Sequence, residues 1–380
     1  MTTKFTMRVL VTGMAVSLAG PAAALDPASL GQGSLKFTPT LDVSTGYDDN
    51  FRTDTSGDSS WITTVQPNFE LSTVQGANRY AASYSIAQEW VHDDSNEDVT
   101  NQFLDLTADL VFDARNRLEL GAFWDKTEEI TSADELNDEF TTTGVHALYG
   151  FGVAGAPINA DFRYGFDRRR SDNAANAEDE RDHHNYAATL YYRVSPRTQA
   201  LAEIRYRDAD FRSVSSKDYD SIAYLIGARW EATAMTSGSV RVGYQEQSFD
   251  DSGKPDETST VWGADVTWAP LTYSRVNLFA TRSLEDGDEG ATSVRTTIFG
   301  ANWNHDWSGQ LTSTIGVSDT RDKYDNGRDD TIQNFNAGVS YELRRWLDVG
   351  FRYDYNDSDS TLDSETWDRN RYMLLLNMSL

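Results

Sequence analysis

Apolar side chains recur at every second position through most of this chain, from about residue 34 to Leu380. Strict alternation is typical of β-strands that bury or expose one face, because successive side chains of a strand point to opposite sides. Eighteen such runs can be recognised, and the runs around Ala202, Val276 and Leu311 are the weakest. An even number of runs, each about ten residues long, predicts an all-β fold: a single up-and-down antiparallel β-barrel that spans the outer membrane.

The apolar sets contain no charged residue, whereas the intervening positions carry many. A Lys or Arg facing lipid at mid-membrane would cost roughly 2–4 kcal/mol, so the apolar set is expected to face outward. Charged groups need water or partners, so the intervening set is expected to line a wet lumen. The candidate lumen-lining residues are Asp105, Asp109, Glu119, Asp161, Arg163, Glu203, Arg205, Arg229, Arg241, Asp265, Arg275, Trp346, Asp348 and Arg352.

Two roles are open for the inward arginines. They either set the ion selectivity of a pore or pair with carboxylates on neighbouring strands, and pairing is the favoured interpretation for most of them. Aromatic residues at inward positions, such as Phe123, Tyr191 and Phe279, are too scattered to indicate a sugar-binding track. They are expected to fill the lumen or lie at its rim.

The connections between runs are of two kinds. Short ones carry turn-forming residues, as in Gln75-Gly76-Ala77-Asn78. Longer acidic ones include 47–60, 92–100, 168–183, 249–258, 284–292 and 356–369. With an even strand count, both termini lie on the side of the short turns, which is periplasmic in outer-membrane barrels. The segments 168–183 and 125–140 are the best candidates for a loop that constricts the lumen.

The N-terminus resembles a secretory signal peptide. Lys4 and Arg8 precede an apolar stretch at 9–20, and three alanines at 22–24 provide a cleavage site. We therefore predict a signal peptide at 1–24, a short N-terminal segment at 25–33 and one barrel domain at 34–380, located in the outer membrane. No second domain is expected.

Composition narrows the classes of function. The net charge of −27 argues against nucleic acid as a partner, because phosphates would be repelled. The absence of Cys excludes disulfides and thiolate metal sites. Ten Trp, 18 Tyr and 17 Phe suffice for aromatic girdles at both membrane interfaces.

The sequence offers little support for catalysis, a cofactor or a metal. The acidic clusters at 286–289 and 322–330 could bind Ca²⁺ but lack EF-hand spacing, and solvated loops are the favoured interpretation. The adjacent His183 and His184 have no third ligand at a recognisable spacing, so a surface pair is expected. No Ser-His-Asp spacing indicates a triad. We predict a protein that is not an enzyme and has no cofactor.

The last strand resembles the signal that barrel-assembly machinery reads, through Tyr372, Leu374, Leu376, Met378 and Leu380. That signal usually ends in Phe, and this chain ends in Leu. The expected partners are therefore the assembly machinery, outer-membrane lipid and lipopolysaccharide. Monomer and trimer are both open.

The segment Gly46-Tyr47-Asp48-Asp49-Asn50-Phe51 resembles the start of the "putative beta-barrel porin 2" family of outer-membrane proteins, which includes EpsL-type barrels encoded with exopolysaccharide-secretion genes. The resemblance implies an outer-membrane barrel that passes a polysaccharide or small polar solutes, with polysaccharide-export components as partners in the first case. The alternative is a closed structural barrel whose acidic loops contact lipopolysaccharide, divalent cations or extracellular partners.

Overall fold

A computed structural model describes residues 34–130, 137–153, 155–233, 235–287 and 290–379. These residues form eighteen antiparallel strands in one sheet, in which each strand pairs with its sequence neighbours and the last pairs with the first. The strands are β1 (Lys36–Asp48), β2 (Ser60–Gln75), β3 (Asn78–Val91), β4 (Val99–Val111), β5 (Asn116–Glu129), β6 (Asp138–Phe151), β7 (Ile158–Ser171), β8 (Arg181–Ser195), β9 (Thr198–Phe211), β10 (Tyr219–Thr233), β11 (Thr236–Phe249), β12 (Glu257–Leu271), β13 (Ser274–Asp286), β14 (Ser293–Asp306), β15 (Leu311–Tyr324), β16 (Asp329–Arg344), β17 (Leu347–Ser360) and β18 (Trp367–Ser379).

The predicted closed barrel and its strand count are confirmed, including the three weak strands, β9, β13 and β15. The predicted signal peptide at 1–24, the segment 25–33 and Leu380 of the predicted assembly signal lie outside the described residues. The described part of the chain contains no helix long and apolar enough to cross a membrane. Its helical segments are short 3₁₀ turns at Ser95–Glu97, Ala174–Asp179, Ser215–Lys217 and Asp363–Glu365.

The acidic connections are shorter than the sequence predicted, because the strands continue into them. The predicted loop 168–183 shrinks to 172–180, and 356–369 shrinks to 361–366. Thirteen residues of β1 span about 43 Å at 3.3 Å per residue, or about 33 Å along the barrel axis at a 40° tilt. The lipid-facing apolar band of an outer-membrane barrel is only about 25 Å tall, so the strand ends extend beyond it. In these ends the backbone ladder continues although the side chains are polar.

The large exposed apolar side chains form what we call the outer set. They include Leu106, Leu120, Val145, Phe162, Leu190, Ile226, Val242, Phe299, Ile315 and Leu374, all from the predicted apolar positions. The residues at alternate positions form the inner set. Contacts between inner-set residues on strands that are not neighbours, such as Arg207 of β9 with Glu285 of β13, identify the enclosed side.

The segment that carried the family resemblance lies at the seam where β1 meets β18. Asp48 is fully buried, and the Nε of Arg369 donates to both of its carboxylate oxygens at 2.9 Å. Asp49 accepts from the backbone and side-chain nitrogens of Asn370 at 2.6 and 2.8 Å. Consecutive aspartates therefore hold the first strand to the last one.

The rest of the segment supports the same closure. Asn50 donates through Nδ2 to the carbonyl of Asp368 at 3.0 Å. Phe51 packs in a small apolar cluster with Ile62 and Val91 at the loop end of the barrel. A Cβ added to Gly46 would overlap the backbone of β18, so only glycine permits this approach of the two strands.

Candidate functional site

The inner set carries acidic residues on one wall of the barrel. Asp105 and Asp109 of β4 and Glu119 of β5 are exposed, and Asp109 lies directly opposite Glu119 in the strand register. Among the described residues, Asp105 and Asp109 have no ion-pair partner, while Glu119 lies 3.7 Å from Nε2 of His146. This wall therefore presents carboxylates to the interior.

Arginines outnumber acidic residues on the inner set of β7, β9 and β11. Arg163 and Arg205 both lie opposite Ala187 of β8, so a small side chain separates them. Glu203 is buried between two arginines: it contacts Nε of Arg205, and its Oε2 lies 3.4 Å from Nε of Arg241. Five arginines line a cavity of about 490 Å³ that spans β7 to β13.

The remaining predicted lumen residues are dispersed. Asp161 pairs with Arg117 at 2.6 Å, and Arg352 pairs with Asp354 at 2.8 Å. Arg229 stacks 3.7 Å from the ring centre of Tyr191. Asp265 of β12, Arg275 of β13 and Asp348 of β17 lie on the inner set, apart from the arginine cavity.

The positions of Trp346 and of the inward arginines can be compared with the predictions from the sequence. Trp346 falls in the turn between β16 and β17, where strand alternation assigns no face. Of the six predicted inward arginines, Arg205, Arg241 and Arg352 have carboxylate partners. Of these three contacts in the described part of the chain, the one between Arg241 of β11 and Glu203 of β9 joins two different strands.

The end of β13 folds into the barrel. Asp286 accepts a hydrogen bond from the hydroxyl of Tyr219, and its Oδ2 lies 3.2 Å from Nε of Arg181 and 3.3 Å from Nε2 of His183. The carbonyl of Leu284 accepts from Nε2 of Gln245 at 3.0 Å. These partners belong to β8, β10 and β11, which are not neighbours of β13, so the segment leaves the wall and packs against the inner face of those strands.

The inward path interrupts the wall between β12 and β13. Their backbone ladder ends at the pair Trp262 and Arg282, leaving the loop-side ends of both strands unpaired with each other. Arg295 of β14 crosses the interruption: its Nε donates to Oγ of Ser259 at 3.1 Å, and Nη2 donates to the carbonyl of Thr258 at 3.3 Å. A side chain thus replaces part of the missing ladder.

Sequence reasoning missed this inward segment and favoured others. The segment 172–180 instead packs against the start of β6. Nδ2 of Asn176 donates to Asp138, and the backbone nitrogen of Asp172 donates to the carbonyl of Glu139 at 3.0 Å. Of 125–140, residues 131–136 lie outside the described residues. The inward path of β13 could have been predicted from its charged residues. Arg282 and Asp286 occupy outer-set positions, and a strand that faces lipid would exclude charged side chains there.

The histidine pair is not a surface pair. His183 is buried on the inner side, whereas His184 lies on the outer set, 4.8 Å between ring centres from Phe166. In the acidic cluster 286–289, Asp286 forms an ion pair with Arg181, and residues 288–289 lie outside the described residues. No three His, Asp or Glu residues of the described chain are arranged to hold a metal ion.

Inward aromatic rings lie over glycines on the adjacent strand. Phe123 is directly opposite Gly144, and Phe279 is directly opposite Gly300. In both pairs a Cβ on the glycine would overlap the phenyl ring, which shows that the ring lies flat against the wall. Aromatic coverage of a strand glycine stabilises its exposed backbone.

A buried acidic residue lies in the loop between β7 and β8. Burial raises the pKa of Asp179 to about 6, although the nearby charges of Lys217 and Arg169 act in the opposite direction. Lys217 is itself buried and lies 5.8 Å from the ring centre of Phe211. The loop is joined to the end of β9 by the backbone nitrogen of Arg212, which donates to the carbonyl of Glu180 at 3.0 Å.

A closed barrel with an apolar exterior, a charged interior and short turns on one side defines an outer-membrane protein of the porin type. The chain belongs to the family described as "Putative beta-barrel porin 2", which matches residues 23–380. The resemblance seen in the sequence is thereby confirmed at the level of the family.

Solved structures share the fold at low identity. The FrpB iron transporter from Neisseria meningitidis (F5-1 variant, apoprotein form) is 12% identical, with a TM-score of 0.50 over 85% of this chain and 62% of that chain. The chain therefore spans less than two thirds of that transporter. OpdL from Pseudomonas aeruginosa is 14% identical, with a TM-score of 0.49 over 90% of this chain and 98% of that one.

The siderophore receptor PirA from Pseudomonas aeruginosa is 10% identical, with a TM-score of 0.48 over 93% of this chain and 81% of that one. No curated protein matches the chain. At these identities the similarities show the fold alone.

Proposed function

We propose that this barrel is an outer-membrane pore that passes small polar solutes. The observation that supports it most directly is the division of charge in the interior. Carboxylates of β4 and β5 occupy one wall, and arginines of β7, β9 and β11 occupy another. Among the described residues, Asp105, Asp109 and Arg163 are exposed and have no ion-pair partner. Rings or walls of charged side chains are a means by which pores select ions and polar solutes.

Planar-bilayer recording tests the proposal directly. The purified barrel should give discrete conductance steps, and a salt gradient should give a reversal potential away from zero because the walls carry fixed charges. Its folded state is checked beforehand by the mobility shift of unheated barrel in detergent gels. A folded barrel that gives no conductance at any voltage or salt concentration would contradict an open pore.

Amide side chains in the interior favour a second cargo, an extracellular polysaccharide. Asn334 and Asn356 are hydrogen-bonded to each other on the inner set of β16 and β17, and Asn334 donates to Oγ of Ser318 at 3.2 Å. Amide groups donate to and accept from sugar hydroxyls without a charge. Deletion of the gene should then abolish surface polysaccharide, and unchanged polysaccharide would reject export.

A closed barrel is the competing proposal, and the inward end of β13 favours it. Asp286 and Glu285 tie that segment to arginines of β8 and β9 within the interior. In this case the acidic loops act at the cell surface, on lipopolysaccharide or divalent cations. The unmodified barrel would then show no conductance, and removal of the acidic loops would abolish its binding to lipopolysaccharide.

A further inference from the structure

We propose that the cavity between β7 and β13 binds a small solute carrying two or more carboxylates. This inference deepens the proposed function and rests on it for the route by which the solute arrives. The site has three features that together indicate an anionic ligand: an excess of positive charge, unpaired guanidinium donors and a bounded volume.

The cavity concentrates positive charge in a chain whose net charge is −27. It is lined by five arginines and one glutamate: Arg163, Arg205, Arg207, Arg241, Arg282 and Glu285. Even with the adjacent Glu203 counted against them, the arginines leave an excess of three positive charges. Inside a barrel, where water is less able to screen them than in bulk, like charges repel, and an anionic solute would relieve the repulsion.

Two of these arginines have donors available. Arg163 is exposed and has no hydrogen bond or ion pair among the described residues. Arg205 contacts Glu203 through Nε, and its two terminal nitrogens have no partner in the described part of the chain. A guanidinium presents a planar fork that binds a carboxylate through two parallel hydrogen bonds.

Arg207 and Arg241 are held by contacts with the wall. Arg207 donates from Nε to Oδ1 of Asn185 at 2.8 Å, and its Nη1 lies 3.1 Å from Oε2 of Glu285. Arg241 lies 3.4 Å from Glu203. Both guanidiniums are fixed by these contacts, and both raise the positive electrostatic potential of the cavity.

Spacing and volume indicate the size of the ligand. Arg163 and Arg205 lie two strands apart, about 9–10 Å between backbones, with Ala187 between them. Their long side chains can converge over the alanine on two carboxylates of one molecule. The volume of about 490 Å³ is that of an ordinary small-molecule site, and Ser283 and Leu284 of the inward β13 segment bound one side.

Calorimetric titration of the folded full-length barrel in detergent at low salt tests the inference, with citrate as the probe and glucose as the neutral control. We expect citrate to bind and glucose not to bind. In the double variant R163Q/R205Q, citrate affinity should fall at least tenfold. The matched control R212Q/R321Q removes the same charge from exposed positions outside the cavity and should bind citrate as the unmodified barrel does.

A second variant covers the case in which the double variant fails to fold. Ala187→Glu places a carboxylate between the two guanidiniums and should abolish citrate binding. The inference is overturned if the unmodified folded barrel does not bind citrate, if R212Q/R321Q weakens binding as much as R163Q/R205Q, or if Ala187→Glu binds normally.

The titration does not depend on conductance, so the two proposals fail separately. Citrate binding to a barrel that never conducts contradicts the pore and leaves the anion site. Conductance without citrate binding contradicts the anion site and leaves the pore. In a conducting barrel, citrate should also reduce the single-channel current, and R163Q/R205Q should remove that reduction.

Discussion

Asp48 and Arg369 form a buried ion pair across the seam of the barrel, although 321 residues separate them in the chain. The aspartate is fully buried, and the guanidinium contacts both of its oxygens. If either partner were removed, the other would be left as an uncompensated charge out of contact with water.

Removal of one partner should therefore weaken closure strongly. We expect Asp48→Asn to lower the free energy of unfolding by about 3–5 kcal/mol, the usual cost of breaking a buried pair. Urea titration of the folded barrel measures the loss. The control is Asp319→Asn, whose partner Arg321 lies 2.8 Å away on an exposed surface, and it should cost less than about 1 kcal/mol. Equal losses would show that the seam pair has no special role.

Gly46 should be essential to the same seam for a steric reason. Gly46→Ala places a Cβ against the backbone of Tyr372 and the side chain of Met373, and backbone cannot yield cheaply. We expect a loss of about 1–3 kcal/mol or failure to close, seen as a lower temperature for the gel mobility shift. Gly263 is also an inward strand glycine but has open space around it, so Gly263→Ala should leave that temperature nearly unchanged.

Release of the β13 end should enlarge the passage. Asp286→Asn removes the negative charge that pairs with Arg181 and contacts His183. The contact that holds the segment inward should weaken by about 3 kcal/mol. We expect larger single-channel conductance than in the unmodified barrel. Asp363→Asn, in an exposed loop, is the control for loss of one acidic charge. Unchanged conductance in Asp286→Asn would show that the segment does not limit flow.

The β7–β8 loop should lose stability as the pH rises. Because the pKa of Asp179 is raised from 3.8 to about 6 in the fold, the folded loop binds more protons than the unfolded chain between these values. Its packing should weaken by at most about 3 kcal/mol from pH 4 to pH 6 and change little above that.

Hydrogen exchange of residues 172–180, corrected for intrinsic rates, measures this dependence. Asp179→Asn should abolish it, because no titrating group remains at the buried position. Asp172→Asn, which alters an exposed carboxylate of the same loop, should retain it. A dependence that persists in Asp179→Asn would assign the titration to another group.

Much of the fold could be predicted from the alternation of apolar and polar residues, because a lipid-facing position tolerates almost no charged side chain. That constraint is local and can be recognised in β9 or β13 even where the run is short. It also placed Arg163, Arg205 and Arg241 on one face, but it could not show that Ala187 lies between the first two, since pairing across strands depends on register.

Contacts between distant segments were beyond sequence reasoning. The motif at 46–51 was recognisable, but its partners on β18 are some 320 residues away, so its role in closure was not visible. The inward path of β13 likewise depends on Tyr219 and His183, which no spacing connects to Asp286. Loop lengths were overestimated because acidic composition was taken to mark the end of a strand.

The pairs of Phe123 with Gly144 and Phe279 with Gly300 have a consequence for the dimensions of the interior. A ring that lies on the wall occupies only its own thickness, about 3.5 Å, whereas a ring that stands upright extends across roughly twice that distance. A side chain added at either glycine would force the ring upright. The width available to a solute at these two levels is therefore set by residues that have no side chain.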